Sequence, residues 1–160
     1  MYNSTLENAA YDIISVFAKT IEMFDLSPLE ARLFVFLYLQ EQPKTLDEMS
    51  EALGKSKTSI STSIRSLSDA NFVTLVWRKG VRKDLYEAKY PLFKTFMNNY
   101  VNKWIDASHH QKDALEKIQK ELECLDAEQP LEIMDSLDEI IEFHEQIASS
   151  FHRLQHNQNA

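Results

Sequence analysis

Glycine is nearly missing from this chain: there are two in 160 residues. So little glycine excludes glycine-rich nucleotide loops, collagen-like repeats and flexible linkers, and it favours a mostly helical chain with few tight turns. There is one cysteine, Cys124, so no internal disulfide can form, which fits a reducing compartment. Prolines number only four. No apolar run approaches the roughly 20 residues that span a bilayer. The start, MYNSTLENAA, lacks a basic region followed by an apolar run and does not read as a signal peptide. The expectation is a soluble, cytoplasmic protein with no membrane partner.

Hydrophobic residues make up 44% of the chain, enough for a core. The formal net charge is −8, which by itself argues against nucleic acid as a partner. The charge is unevenly spread. Residues 1–43 carry a net −4, residues 44–104 a net +5, and residues 105–160 a net −9. A basic middle between acidic arms implies different tasks for the two.

Helical periodicity fills the arms. From about Thr5 to Phe24, Leu6, Ala10, Ile13, Phe17, Ile21 and Phe24 recur at spacings of three and four, one apolar face of a helix. Ser27-Pro28-Leu29-Glu30 then reads as an N-cap, a proline at the first helical position and a reciprocal capping glutamate. The helix it opens, to about Gln40, is apolar nearly all round (Leu29, Leu33, Phe34, Phe36, Leu37) and should be buried. Pro91 opens a long helix reaching about Leu125, and Pro130 breaks it. A last helix is expected from Leu131 to about Gln155, with a seam of Leu137, Ile140, His144, Ile147, Phe151 and Leu154 and a frayed tail.

The middle is different. Thr45-Leu46-Asp47-Glu48 is a second capping box, Met49, Ala52 and Leu53 follow, and Gly54 suits a left-handed C-cap. Ser56 caps another helix only two residues later. That helix should bury Ile60, Ile64 and Leu67, and its other faces carry Ser56, Lys57, Thr58, Ser59, Ser61, Thr62, Ser63, Arg65 and Ser66, with no acid before Asp69. The period then changes to two: Val73, Leu75 and Trp77 alternate with Thr74, Val76 and Arg78, a strand pattern. After the turn Lys79-Gly80-Val81-Arg82-Lys83, residues 84–89 can return as a second strand.

Two short helices across a glycine-containing turn, then a hairpin, make a winged helix-turn-helix. The fold class is therefore mainly α with a small β-hairpin wing, flanked by long dimerisation helices. The expected division is 1–26 an N-terminal dimerisation helix, 27–90 the DNA-binding domain and 91–160 a C-terminal helical dimerisation region. Serine and threonine are mediocre helix formers, so the polar face of the Ser56 helix is not there for helix stability. Short hydroxyls permit close approach to phosphates or base edges, and Lys57 and Arg65 add charge. The hairpin tip carries Arg78, Lys79, Arg82 and Lys83, four cations in six residues, which suits the negative potential of a narrow minor groove.

SKTSISTSIRSLSDANFV, followed by VWRKGVRKDLYEA, resembles the winged-helix core of MarR-type transcriptional regulators. It is most similar to the GbsR branch, which includes repressors of glycine-betaine synthesis and uptake genes. The resemblance is most specific over about residues 45–90. It implies a homodimeric repressor that binds a near-palindromic operator in double-stranded DNA and dimerises through its terminal helices. On matching positions, Ser56, Lys57, Thr58, Ser59, Ser61, Thr62 and Arg65 take the recognition-helix role. Arg78, Lys79, Arg82 and Lys83 take the wing role. It also implies a response to choline or a related quaternary ammonium ion. Phe93, Phe96, Tyr100 and Trp104 lie on one stripe of the long helix. The stripe reads first as core or dimer interface and second as an effector-pocket wall acting by cation–π attraction.

Other chemistry is weakly marked. Leu53-Gly54-Lys55-Ser56 mimics the end of a phosphate-binding loop, but Met49 stands where that motif needs a glycine. His152 and His156, four apart on a helix, suit a shared zinc ion, yet no third ligand is placed, and the expectation is no metal and no cofactor. His144 reads as an interface histidine. Cys124 sits among Glu121, Glu123 and Asp126, which disfavour a thiolate. No nucleophile–base pair stands out, so an enzyme is not expected. A different use of the same surface is a winged-helix protein–protein module, its basic face docked on an acidic partner.

Overall fold

Two capping boxes fix where the central helices start. In the computed structural model, which describes residues 2–125 and 132–159, both form in full. The Ser27 Oγ accepts the Glu30 N–H (3.2 Å) and the Glu30 carboxylate accepts the Ser27 N–H (2.7 Å). Thr45 and Glu48 do the same at the same distances. The elements in chain order are α1 (Tyr2–Glu22), α2 (Pro28–Tyr38), α3 (Leu46–Leu53), α4 (Lys57–Asp69), β1 (Val73–Val76), β2 (Leu85–Ala88), α5 (Leu92–Glu123) and α6 (Glu132–Asn159). The expected break at Pro130 and helix start at Leu131 lie outside the described residues. Among the described residues no helix is long and apolar enough to cross a membrane.

The chain forms two units, Met1–Phe96 and Met97–Ala160. In the first, α2 is the central element: Ala31, Leu33, Phe34, Val35 and Leu37 are buried, while Leu29 and Phe36 are only half-buried. Around it pack Ile21 of α1, Met49 of α3, and Ile60, Ile64 and Leu67 of α4, with Phe72, Val73 and Phe96 completing the core. Gly54, at φ +62°, ends α3 in the left-handed conformation that glycine tolerates without a Cβ clash. Asn71, at φ +67°, plays the same part after α4.

The hairpin pairs Val73 with Ala88 and Val76 with Leu85, antiparallel. A rung not expected from the sequence ties it down: Lys44 exchanges both backbone hydrogen bonds with Tyr86, each 2.9 Å. One residue pair has no periodicity, so no pattern signalled it.

The structure corrects several expectations. The first helix ends at Glu22, not Phe24, because Asp25 turns left-handed at φ +64°. Its buried or half-buried apolar residues are Ala10, Ile14, Phe17, Ala18 and Ile21, whereas Leu6 and Ile13 stay exposed, since packing against the core begins only at Ile14. Ser63, read with the polar face of α4, is buried beside Ile64. Leu75 and Trp77, at 57% and 80% exposure, lie on the outer part of the hairpin where no core covers them.

The second unit is an antiparallel helical hairpin. Gln119 of α5 donates to Asp138 of α6. Further along, Lys112 pairs with Glu145 (2.9 Å), Trp104 stacks on Phe151 (5.4 Å between centroids) and Gln155 donates to Asn102 (2.7 Å). Each step down one helix is a step up the other. From Val101 onward the covered positions on α5 include Val101, Ile105, Ser108, Lys112, Leu115, Gln119 and Leu122, alternating four and three, with Glu116 half-covered beside Leu115. On α6 they are Met134, Leu137, Ile141, His144, Ile147, Ala148, Phe151, Gln155 and Gln158. The expected seam shared Leu137, His144, Ile147 and Phe151 with this face, while Ile140 and Leu154, on its flank, are exposed. The tail expected to fray is helical to Asn159, with Gln155 and Gln158 half-buried.

Candidate nucleic-acid interface

The polar helix α4 buries Ile60, Ser63, Ile64 and Leu67 on one side. At 100° per residue the opposite side centres on Thr58, Thr62 and Arg65, all exposed. Lys57 and Ser61 flank it on one edge, Ser59 and Ser66 on the other. Ser61 is half-buried. The Ser56 Oγ accepts the Ser59 N–H (3.2 Å) and lies 2.9 Å from the Ser59 Oγ, so the cap and the first turn are fixed together. The Thr62 hydroxyl donates to the Thr58 carbonyl (3.0 Å), leaving its lone pairs facing out. At the far end Ser66 reaches back to Glu30 of α2. Burial pushes the Glu30 carboxyl up, but hydrogen bonds from Ser66 and Ser27 outweigh it and hold the group below its ordinary range.

The wing cations divide into two kinds. Arg78 donates to the Gln42 side chain (2.9 Å) and Lys83 pairs with Asp47 (2.7 Å). Lys79 and Arg82 are exposed and make no ion pair among the described residues. Gly80, at φ +83°, allows the reversal between them. Lys57 of α4 also pairs with Asp47, at 3.0 Å. The Lys83 and Lys57 ammonium groups hold the Asp47 carboxyl below its ordinary range, and Asp47 raises Lys83 in return. A cleft of about 300 Å³ between α3, α4 and the wing is lined by Asp47, Lys57, Arg82, Lys83 and Asp84. On β2, burial raises the Tyr86 hydroxyl, Asp84 adds to the rise and Arg65 opposes it.

One side of the first unit thus presents a hydroxyl-rich helix face, a helix N-terminus and a cationic loop. Residues 21–91 match the TrmB family, described as sugar-specific transcriptional regulators. The putative HTH-type transcriptional regulator YvaV of Bacillus subtilis is 33% identical over 85% of this chain and 77% of its own length.

The chain belongs to the family of HTH-type transcriptional regulators that YvaV represents.

The HTH-type transcriptional repressor OpcR of the same organism is also 33% identical, and the chain spans 65% of OpcR's length. The repressor GbsR of the same organism is 29% identical over 92% of this chain and 81% of its own length. A solved transcriptional regulator superposes with a TM-score of 0.64 at 17% identity, covering 92% of this chain and 99% of that one, and it shares the fold.

The aromatic stripe on α5 separates by environment. Phe96, at 3% exposure, is core: its ring lies 4.6 Å from Phe72 and 4.8 Å from Phe34. Phe93, at 71%, is exposed. Tyr100 and Trp104 belong to the second unit, where both rings neighbour Phe151, at 6.0 and 5.4 Å. Sequence spacing missed Phe151 because it comes from the other helix. His152 faces His109 across the hairpin, 5.6 Å between ring centroids, rather than joining a metal set, and no group of three metal-ligating side chains gathers among the described residues. His144 bonds the Ile140 carbonyl through Nδ1 (2.7 Å), and Cys124 is exposed just past α5.

Proposed function

We propose that this chain is a sequence-specific, ligand-responsive transcriptional repressor of the GbsR branch of MarR-type regulators, acting as a homodimer on a near-palindromic operator. The observation that carries the reading is the outward face of α4, with Thr58, Thr62 and Arg65 at its centre, set beside the free wing cations Lys79 and Arg82. In this reading residues 27–90 bind DNA. The helix α4 enters the major groove, Ser56, Lys57, Ser59 and Ser61 meet the phosphates at its edges, and the wing lies on the minor groove or backbone.

Dimerisation is supported by apolar positions the single chain leaves uncovered. Ile133, Ile140 and Leu154, seven or fourteen residues apart on α6, stay exposed with Phe143 beside them. Leu6, Ile13 and Val16 are exposed on α1. A twofold dimer would set two recognition helices about 34 Å apart, on successive major grooves.

The effector reading rests on the cluster of Tyr100, Trp104 and Phe151. Trp104 and Phe151 stack on one another, so a quaternary ammonium ion such as choline would sit on the open face of Trp104. Binding there would shift the dimer between DNA-competent and incompetent states.

The test is selection of duplexes from a random pool by the purified chain. A recovered near-palindrome bound at low nanomolar concentration, with strong salt dependence, supports the reading. No enrichment, with capture of an acidic protein through the same cations, replaces it with a protein–protein module.

A further inference from the structure

Asp47 belongs to neither DNA-facing element, yet both are tied to it. It is the second residue of α3, where the helix N-terminus favours a carboxylate. Its Oδ1 lies 3.0 Å from Lys57 Nζ at the start of α4, and its Oδ2 lies 2.7 Å from Lys83 Nζ at the end of the wing loop. Each oxygen serves one lysine, so the two contacts coexist. The base of the wing is fixed by the Lys44–Tyr86 backbone rung and the Arg78 side by Gln42. Asp47 alone links the wing loop to the recognition helix among the described ion pairs.

We propose that Asp47 is a specificity-determining positioning residue: it sets the wing against the recognition helix and withholds Lys57 and Lys83 from phosphates of DNA that offers no base contacts. The inference rests on the DNA-binding reading above. All three side chains are half to two-thirds exposed, and exposed ion pairs add little to fold stability, so the weight of this contact falls on geometry and charge. The cleft there holds the cations of Lys57, Arg82 and Lys83 against the carboxylates of Asp47 and Asp84. Removing Asp47 doubles the local excess of positive charge, from one to two. A phosphate must compete with Asp47 for each lysine. On a matched site, contacts from Thr62 and Arg65 offset that competition, and on random sequence nothing does.

The experiment compares Asp47→Asn with the unaltered chain on two duplexes: one selected by the unaltered chain from a random pool, and one of scrambled sequence. Asn keeps the size and loses the charge, and an unchanged circular dichroism spectrum and urea midpoint make the comparison like for like. The expected result is tighter binding to the scrambled duplex, about 5- to 10-fold for each phosphate contact regained near 0.1 M salt, with a steeper salt slope. The ratio of selected to scrambled affinity falls, and Asp47→Glu restores it. Should Asp47→Asn perturb folding, Lys83→Met, which breaks only the wing side, is expected to lower the same ratio.

An unchanged ratio and slope in Asp47→Asn, while Lys79→Ala still flattens the slope, overturns the role of Asp47 and leaves the DNA-binding reading standing. Failure of the unaltered chain to select any sequence, with Lys79→Ala and Arg82→Ala without effect on duplex binding, overturns both.

Discussion

The Phe96 ring stacks on that of Phe72, 4.6 Å away with the planes inclined by 29°, and meets Phe34 edge-on at 4.8 Å. The first turns of α5 are thereby anchored in the core of the helix-turn-helix unit. Phe96→Ala should cost about 3–5 kcal/mol, through lost burial and a residual cavity. Phe93→Ala, three residues away on an exposed position, should stay within about 0.5 kcal/mol of the parent. Urea denaturation followed by far-ultraviolet circular dichroism separates the two, and equal effects would contradict the assignment of Phe96 to the core.

Recognition and wing positions should fail differently on DNA. Arg65→Ala is expected to lose about 1–3 kcal/mol of discrimination at one position of the selected site. Lys79→Ala should weaken binding to every sequence alike and reduce the salt slope by about 0.9 for each phosphate released. Binding isotherms at several salt concentrations, on the selected duplex and on its single-base variants, read both effects. A uniform loss from Arg65→Ala would move that side chain from base edge to phosphate.

Acid should loosen the first unit through its carboxylates. Hydrogen bonds hold Glu48 low, first from the Thr45 backbone N–H, and the same direction holds for Asp47 and Glu30. A carboxyl whose folded value lies below its unfolded value contributes stability above the unfolded value, and that stability is lost as pH falls through the folded one. Urea midpoints should therefore be flat near neutrality and drop below about pH 4, where ordinary carboxylates titrate. Thr45→Ala, which removes one half of the capping box, should cost about 1 kcal/mol at neutral pH. It should also shrink the acid-dependent drop, because Glu48 then gains less from staying charged.

The exposed apolar stripe of α6 should report on assembly. Ile140→Glu combined with Leu154→Glu is expected to shift the chain toward monomer in light scattering with helicity retained, since both side chains are exposed in the single chain. The same change at Ile141 or Ala148, which are buried within the hairpin, should instead lower helicity. Loss of dimer only from the second pair would place the interface elsewhere.

Trp104 offers an optical readout of the effector. With Trp77 replaced by Phe, the remaining indole fluorescence should change on titration with choline chloride and not with sodium chloride at equal ionic strength. Tyr100→Ala should weaken the response. A response to a neutral sugar and not to choline would redirect the effector class toward the sugar-specific description of the matching family.

Much of the first unit was written locally. Ser27 and Glu30, Thr45 and Glu48, Gly54 and Ser56 each act within a few residues, and hydrogen-bond geometry over so short a span is set by residue type. The polar face of α4 and the cationic loop were legible for the same reason. The net charge of −8, which pointed away from nucleic acid, became informative once divided into a +5 middle and acidic arms.

Only the tertiary structure could decide which of several periodic stripes finds a partner. On α6 Ile140 and Leu154 lie fourteen residues apart and Ile141 and Ala148 seven, both multiples of the heptad, yet one set is exposed and the other buried, because the rotation of the helix against α5 is chosen by Phe151 meeting Trp104 and Glu145 meeting Lys112. The pairing of Lys44 with Tyr86 and the joining of Lys57 and Lys83 through Asp47 are likewise contacts between segments far apart in the chain, and Leu75 and Trp77 face outward because no such segment reaches them. Periodicity specifies that a face is apolar or charged; what meets that face depends on packing that no single segment encodes.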